Sequence, residues 1–245
     1  MPETGRVGVH THLLPGVDDG CETVEESILC ARALVAAGYT HAYCTPHVWA
    51  SLPQNNAREI GGRVAELQGE MDRAGVALKL IPGGENNLLT EWPAIAERAR
   101  EEVVTYGLLG RHLLFDFWTD DAMVVRERIE PAARHLRERG FELILAHPER
   151  IEALQREERA LDRLTELGVR LQLNSWCLAE PRGDRRRDMA ERLLKEGRYF
   201  LIGTDLHRPS GMAARLAGLA VAEELVGATE VERLTVQNPR VLMGA

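Results

Sequence analysis

The stretch F-E-L-I-L-A-H-P-E-R, residues 141–150, contains the pattern on which the fold turns. Five of its first six residues are apolar and show no polar alternation, as expected of a strand buried on both faces. The run stops at His147, and a turn with Pro148, Glu149 and Arg150 follows. Gly140 stands just before it, at the end of a helical stretch over 121–139, and a second helical stretch over 152–167 comes after. Working outward, the same unit recurs. Short apolar runs lie near 6–10, 40–45, 77–82, 112–117, 169–174 and 199–204. Helical segments over 23–37, 56–74 and 188–196 stop at Gly38, Gly75 and Gly197, and the segment over 152–167 stops at Gly168. Helix, glycine, strand is the chemistry of αβ loops. Thr23-Val24-Glu25-Glu26 has the spacing of a capping box. Further helices are predicted over 91–100, 211–225 and 230–234. Strands that alternate with helices form a parallel sheet, because parallel neighbours need crossover connections.

A chain of 245 residues suits either an open doubly wound sheet or a closed α/β barrel, and the placement of polar residues chooses. Of eight histidines, His41, His112 and His135 lie at strand beginnings or on a helix face. The other five, His10, His12, His47, His147 and His207, lie at or just beyond the carboxyl ends of the apolar runs. Glu85 follows the third run, Asp116 is late in the fourth, and Asp205 follows the seventh. One histidine at a strand end is usually a satisfied polar residue; imidazole or carboxylate at nearly every end is not. An open sheet would spread these ends along a line, whereas a barrel gathers them at one mouth. The expected fold is therefore α/β, a single TIM-like barrel of seven strand–helix units occupying 1–245 as one domain, with no linker or compositional break.

Imidazoles and carboxylates without cysteine suit Mn, Fe or Zn in a multinuclear site. Side chains in a strand alternate with period two, so His10 and His12 share a face, as do Asp205 and His207. Glu85 can bridge two cations. Clustered cations generate hydroxide near neutral pH and clamp phosphoryl oxygens. Arg150 can add a bidentate fork for the remaining phosphate charge; a salt bridge to Glu149 or Glu152 is its structural alternative.

These motifs, HTHLLPGVDDG (10–20), CTPH (44–47), GGEN (83–86), FDF (115–117), AHPER (146–150), GTDLH (203–207) and QNPRVLM (237–243), resemble the PHP superfamily of metal-dependent phosphoesterases. Within it they are most similar to the bacterial capsule-type protein tyrosine phosphatases. The resemblance spans essentially the whole chain. It implies a distorted barrel of seven units and three divalent cations, usually manganese, with Fe or Zn as alternatives. It implies His10, His12, Glu85 and Asp205 at one cation, Glu85, His47 and His147 at a second, and Asp19, Asp116 and His207 among the ligands of a third. Asp19 lies in a loop and enters the set only through the resemblance. Arg150 becomes the phosphate-binding candidate, and a phosphotyrosyl protein, such as the tyrosine-rich tail of a bacterial tyrosine autokinase controlling polysaccharide export, becomes the implied substrate. The chain departs from the family pattern at Gly8, where an acidic residue is common, and at Asp116, where Glu is more usual. The segment after His207 is compressed to RPSGM, leaving Arg208 as the candidate for a second phosphate-binding arginine.

Composition narrows the alternatives. A net charge of −8 argues against nucleic acid or anionic membrane as partner, and three divalent cations would bring it to about −2. Cys21, Cys30, Cys44 and Cys177 show no CxxC or disulfide spacing and read as reduced thiols near a core. The opening residues show no signal-peptide pattern and no run is long enough to span a bilayer, so the expectation is a cytoplasmic protein. The nearest rival function is hydrolysis of a small-molecule phosphate, such as a sugar or amino-alcohol phosphate. An amidohydrolase or deaminase would want a bridging lysine that the mouth motifs do not offer. A non-catalytic binding protein would have lost ligands. Trp49, Trp118 and Trp176 each follow a strand end and read as rim packing, with stacking on an aromatic leaving group as the functional alternative. The run Arg185-Arg186-Arg187 reads as a solvated helix start, and Gly83-Gly84 as backbone that lets Glu85 turn inward.

Overall fold

In the computed structural model, which describes residues 5–244, every apolar run becomes a strand. The strands are β1 (Arg6–Gly8), β2 (Tyr39–Cys44), β3 (His47–Val48), β4 (Lys79–Pro82), β5 (Glu85–Asn87), β6 (His112–Asp116), β7 (Glu142–Ala146), β8 (Arg170–Asn174) and β9 (Tyr199–Gly203). All pair in parallel, in two sheets ordered β1-β2-β4 and β3-β5-β6-β7-β8-β9.

The expected seven-stranded ring thus appears as two ladders. The run 40–45 resumes as β3 after Pro46, and the run 77–82 resumes as β5 after Gly83-Gly84. Pro46 has no N–H to give to a ladder. At Gly84 a β-carbon would stand 2.5 Å from Val104 Cγ1 and 2.7 Å from Val48 Cγ2, so only glycine lets the chain pass. Isolated hydrogen bonds continue where the ladders stop. Asp205 N donates to His10 O (2.8 Å), His12 N to Leu206 O (2.9 Å), and Thr45 N to Thr11 O (2.8 Å).

The helices follow the sequence with small corrections. Thr23 caps Val24–Ala36 through Glu26 N, and Asn56 caps Ala57–Arg73 through Glu59 N. The Glu26 carboxylate reaches the N–H of Glu22, not that of Thr23, so the capping box is half formed. The segment over 121–139 contains a π turn at Val125–Ile129, just before Pro131, whose missing N–H breaks the regular ladder. The segment over 152–167 is two helices, Glu152–Arg156 and Glu158–Glu166, parted at Glu157, whose backbone leaves the helical region (φ −131°, ψ 90°). The three arginines at 185–187 open the helix Arg185–Lys195, and two of them are used locally: Arg186 pairs with Asp184 and Glu180, and Arg187 with Glu191.

One large buried cluster packs the helices on the strands. A smaller one draws Val7, Val9 and Tyr43 from the region of the first sheet together with Leu114, Ile144 and Leu201 from the second. Period-two alternation places Leu114 on the face of Asp116 in β6, and Gln172 on the face of Asn174 in β8. The apolar plug therefore lies below, and the polar groups collect at the carboxyl ends. The four cysteines are free and buried. Among the described residues no helix is long and apolar enough to cross a membrane.

Candidate metal centre

The segment holding His10 and His12 is gripped between 205–206 on one side and Thr45 on the other. That grip turns both imidazoles the same way. Their Nε2 atoms lie 3.2 Å apart, both rings are fully buried, and each has its other nitrogen occupied. His10 Nδ1 meets Gln172 Oε1 at 2.8 Å, and His12 Nδ1 meets Asp18 Oδ2 at 2.7 Å. Each partner is an acceptor, so the proton belongs on Nδ1 and the Nε2 lone pairs are left free; such outer partners commonly orient metal-binding imidazoles.

Glu85 lies at the middle of the cluster. Its Oε1 is 2.9 Å from His147 Nε2, and its Oε2 is 3.0 Å from His47 Nδ1 and 3.3 Å from His10 Nε2. Asp205 Oδ1 is 3.3 Å from Nε2 of both His10 and His12. Asp19 Oδ1 is 3.3 Å from Nε2 of both His47 and His207. Potential ligand atoms fall into four overlapping groups: His10, His12 and Asp205; His10, Glu85 and His147; His47, Glu85 and Asp116; and His12, Asp19, His47 and His207. All nine residues expected at the mouth are thus brought together. The expected groupings are redistributed: His10, His12 and Asp205 fall together without Glu85, Glu85 joins His147 beside His10 and Asp116 beside His47, and Asp19 and His207 gather around His12 and His47. Asp116 belongs to β6, beside Glu85 in β5, whereas Asp19 reaches in from its loop above the first strand.

These residues fit cations. His47 Nδ1, Glu85 Oε2, Asp116 Oδ1 and His147 Nδ1 are buried side-chain atoms with no hydrogen-bond partner, an arrangement costly in a folded protein unless something else satisfies them. The donors are nitrogen and oxygen without thiolate, suited to Mn, Fe or Zn. Charge balance points the same way. Burial opposes ionisation of Glu85 and Asp205, yet the surrounding imidazoles outweigh it and hold both carboxyls well below the ordinary range. Hydrogen bonds from His207 and His47 do the same for Asp19. Asp116 moves oppositely: burial first, then the Glu85 charge, push its carboxyl well above the ordinary range. For His47, burial lowers the pKa, but Asp19 and Glu85 prevail and raise it to about 9. The cluster therefore attracts positive charge from protons in the absence of a cation.

Two ligand candidates sit on strained backbone. His147 has φ 35° and Asp205 φ 49°, left-handed conformations that cost about 1–3 kcal/mol each for residues with a β-carbon. Both stand where a strand must turn its last side chain into the cluster. Arg150 Nη1 donates to Asp205 Oδ2 at 2.9 Å, and its guanidinium lies 4.9 Å from the Trp118 ring and 5.6 Å from that of Trp176. Asp205, not Glu149 or Glu152, is its partner. Arg208 is different. It is paired with Glu22 at 2.6 Å and approaches Glu26 at 4.0 Å on the exposed surface, and among the described contacts none ties it to the cluster.

Several residues outside the nine support the cluster, among them Asn174 at the end of β8, where the sequence leaves open a contact with solvent or substrate or a turn cap. Asp18 orients His12, and Gln172 orients His10. Asn174 Nδ2 donates to Asp205 Oδ2 at 2.7 Å. The buried Glu149 accepts from Asn174 N and the Tyr199 hydroxyl, and burial pushes its carboxyl up to about 7. Buried polar residues in otherwise apolar strands, Gln172 above all, were the available signal.

The chain is similar to known proteins over nearly its whole length. The family profile "Capsular polysaccharide synthesis, CpsB/CapC" matches residues 6–244. Tyrosine-protein phosphatase YwqE of Bacillus subtilis is 25% identical over 201 residues, covering 82% of this chain and 77% of that protein. Tyrosine-protein phosphatase CpsB of Streptococcus pneumoniae is 23% identical over 254 residues, covering 97% and 98%. A solved structure from work on YwqE and CpsB, described as unique metal-dependent tyrosine phosphatases, superposes with a TM-score of 0.81 at 23% identity, covering 95% of this chain and 94% of that one. The lactonase Lmo2620 of Listeria monocytogenes shares the fold more distantly, with a TM-score of 0.57 at 14% identity, covering 97% and 94%. The chain belongs to the CpsB/CapC family of capsular polysaccharide synthesis.

Proposed function

We propose that this member of the capsular polysaccharide synthesis family is a metal-dependent phosphoester hydrolase, a protein tyrosine phosphatase acting on phosphotyrosyl protein. The observation that carries the reading is the convergence of nine imidazole and carboxylate side chains in overlapping ligand groups beside one arginine. The names of its relatives support the reaction.

The ligands we assign are His10, His12, Asp19, His47, Glu85, Asp116, His147, Asp205 and His207. We assign them three divalent cations, manganese first, with iron or zinc as alternatives. Such cations supply Lewis acidity toward phosphoryl oxygens and a water of lowered pKa. The chain's own residues do the rest. Asp18 and Gln172 hold His12 and His10 in one tautomer. Glu85, in reach of four imidazoles, would be the carboxylate shared between cations. Arg150, held by Asp205 and lying near two indoles, offers its remaining N–H groups to the phosphoryl oxygens as negative charge grows on them. The phosphate-binding role rests on Arg150, which adjoins the cluster through Asp205, whereas Arg208 is paired with Glu22 on the exposed surface.

We read the two ladders as one distorted seven-unit barrel in a single domain over 1–245. The hydrogen bonds joining 10–12 to 205–206 and Thr11 to Thr45 support this. A cytoplasmic setting suits four buried, unpaired thiols. There, the tyrosine-rich tail of a kinase serving polysaccharide export is the partner that family membership favours.

The test is a panel of phosphotyrosyl peptides and metabolite phosphates, assayed with added manganese on wild type and Arg150→Ala. We expect phosphotyrosyl peptides to be preferred, and Arg150→Ala to keep its metal content while losing about 2–4 kcal/mol of transition-state stabilisation. Preference for a metabolite phosphate, or full activity in Arg150→Ala, would refute the assignment.

A further inference from the structure

Beside the metal centre lies a cleft of about 410 Å³ whose lining includes Trp49, Trp118, Asn87, Thr90 and Glu91. That volume is in the range of small-ligand sites. Both of its tryptophans touch ligand candidates. Trp49 stacks on His47 with ring centroids 4.0 Å apart and planes 24° apart. Trp118 donates its indole N–H to Asp116 Oδ2 at 2.7 Å and stacks on His147 at 5.5 Å. Asn87 is two residues beyond Glu85 on the same face of β5. The cleft therefore adjoins the corner formed by His47, Glu85 and Asp116.

We infer that the cleft between Trp49 and Trp118 seats the leaving group and selects aryl over alkyl phosphoesters. The inference rests on the phosphoester-hydrolase reading of the centre and adds the residues that set its specificity. Tryptophans that only sealed the rim would close on one another; these are parted by a cavity, and Trp118 stays 42% exposed. Asn87 and Thr90 spend their oxygens on each other and on nearby groups, while Ser51 and the buried, unpartnered Trp49 N–H add the lining's other polar atoms beside Glu91. Asn87 Oδ1 accepts from Leu89 N, Thr90 N and the Thr90 hydroxyl, which also lies 3.0 Å from Glu91 Oε1. What the cleft offers a guest is chiefly indole surface, which favours an aromatic ring over a hydroxyl-rich sugar or an alkyl chain. The Arg150 guanidinium lies 4.9 Å from the Trp118 ring, so a phosphoryl group held by that arginine has its ester substituent beside the indole.

The experiment compares phenylphosphonate with methylphosphonate, neither of which can be hydrolysed, by titration calorimetry on the manganese-loaded protein. Wild type is expected to bind phenylphosphonate about tenfold more tightly, equivalent to about 1.4 kcal/mol. In Trp49→Ala the ratio falls to within about twofold, and Trp49→Phe restores most of it. Trp118→Phe, which loses the N–H to Asp116 but keeps an aromatic face, weakens both ligands together and leaves the ratio high. Metal content and circular dichroism accompany each variant, and methylphosphonate reports on the centre itself. A ratio near one in wild type, or one unchanged in Trp49→Ala, overturns the inference. Failure of both phosphonates to bind the manganese-loaded wild type overturns the phosphoesterase reading, and this inference with it.

Discussion

Asp18 tests whether the orientation of His12, and not merely its presence, controls the centre. The Asp18 side chain is about 1% exposed and satisfies three donors: His12 Nδ1 at 2.7 Å and His47 N at 3.0 Å through Oδ2, and Gly20 N at 3.0 Å through Oδ1. Burial raises its pKa, but the His12 ring and these hydrogen bonds outweigh it and hold the carboxyl below the ordinary range. Asp18→Asn keeps the shape and removes one acceptor. If the amide oxygen faces His12 and His47, the NH2 group meets the Gly20 N–H; turned the other way, it meets both of the others. In either case a buried donor is left facing a donor, which costs about 1–3 kcal/mol. The imidazole also loses the anionic partner that fixes its tautomer, and disrupted outer partners typically weaken metal binding about 10–100-fold. Calorimetric titration of the metal-free protein with manganese, paired with thermal unfolding of that metal-free protein, separates the two effects. The expected result is weakened manganese affinity in that range together with a lowered Tm. Wild-type affinity in a folded Asp18→Asn variant would refute the claim that this hydrogen bond prepares His12.

Other consequences are simpler to check. Glu85→Gln removes the carboxylate shared by His10, His47 and His147, so elemental analysis should find more than one cation lost per chain, with activity near background. A full complement would show that Glu85 is not a shared ligand. Away from the centre, His112 is buried with Nε2 unpartnered, and burial, followed by the charges of Arg111 and Arg170, lowers its pKa to about 4. The unfolded chain then binds this proton first as pH falls below about 6.5. The stability contribution is present above that pH and is lost down to about pH 4, by about 3 kcal/mol. Tm measured against pH should fall less steeply over this window in His112→Leu; parallel curves would contradict it. Gly84→Ala should destabilise by about 1–3 kcal/mol through overpacking, since its β-carbon would meet Val48 and Val104, and should lower manganese affinity by shifting Glu85. An unchanged midpoint in denaturant would show that the loop yields freely.

Local pattern was enough to place seven of the nine strands; β3 and β5, which follow Pro46 and Gly83-Gly84, lie beyond the apolar runs. An unbroken apolar run such as 141–146 has few options besides a buried strand, and glycine stops at 38, 140 and 168 separate helix from strand by backbone conformation alone. The H-x-H spacing does bring the His10 and His12 imidazoles to one side, but Asp205 stands beyond β9 on left-handed backbone, so the two-residue repeat does not govern D-x-H. Resemblance to a known family added Asp19, which no periodicity marks.

Tertiary structure decided how those residues meet. The distance from His10 to Gln172, or from Arg150 to Asp205, spans 162 and 55 positions of sequence, and no local rule relates them. Only the packed sheets put Asp116 with Glu85 and His47 and leave Asp19 with His207, or give Arg208 to Glu22 and Arg150 to Asp205. Pro46 and Gly83-Gly84 were visible in the sequence, yet their effect, dividing the strands between two ladders, emerged only once neighbouring strands had to pair around them. Residue type and spacing are local properties of the chain, and so the inventory of ligands at the carboxyl ends was legible from sequence. Tautomer, grouping and the partner of each charge depend on groups brought within about 3 Å of one another, and so only the folded chain could determine them.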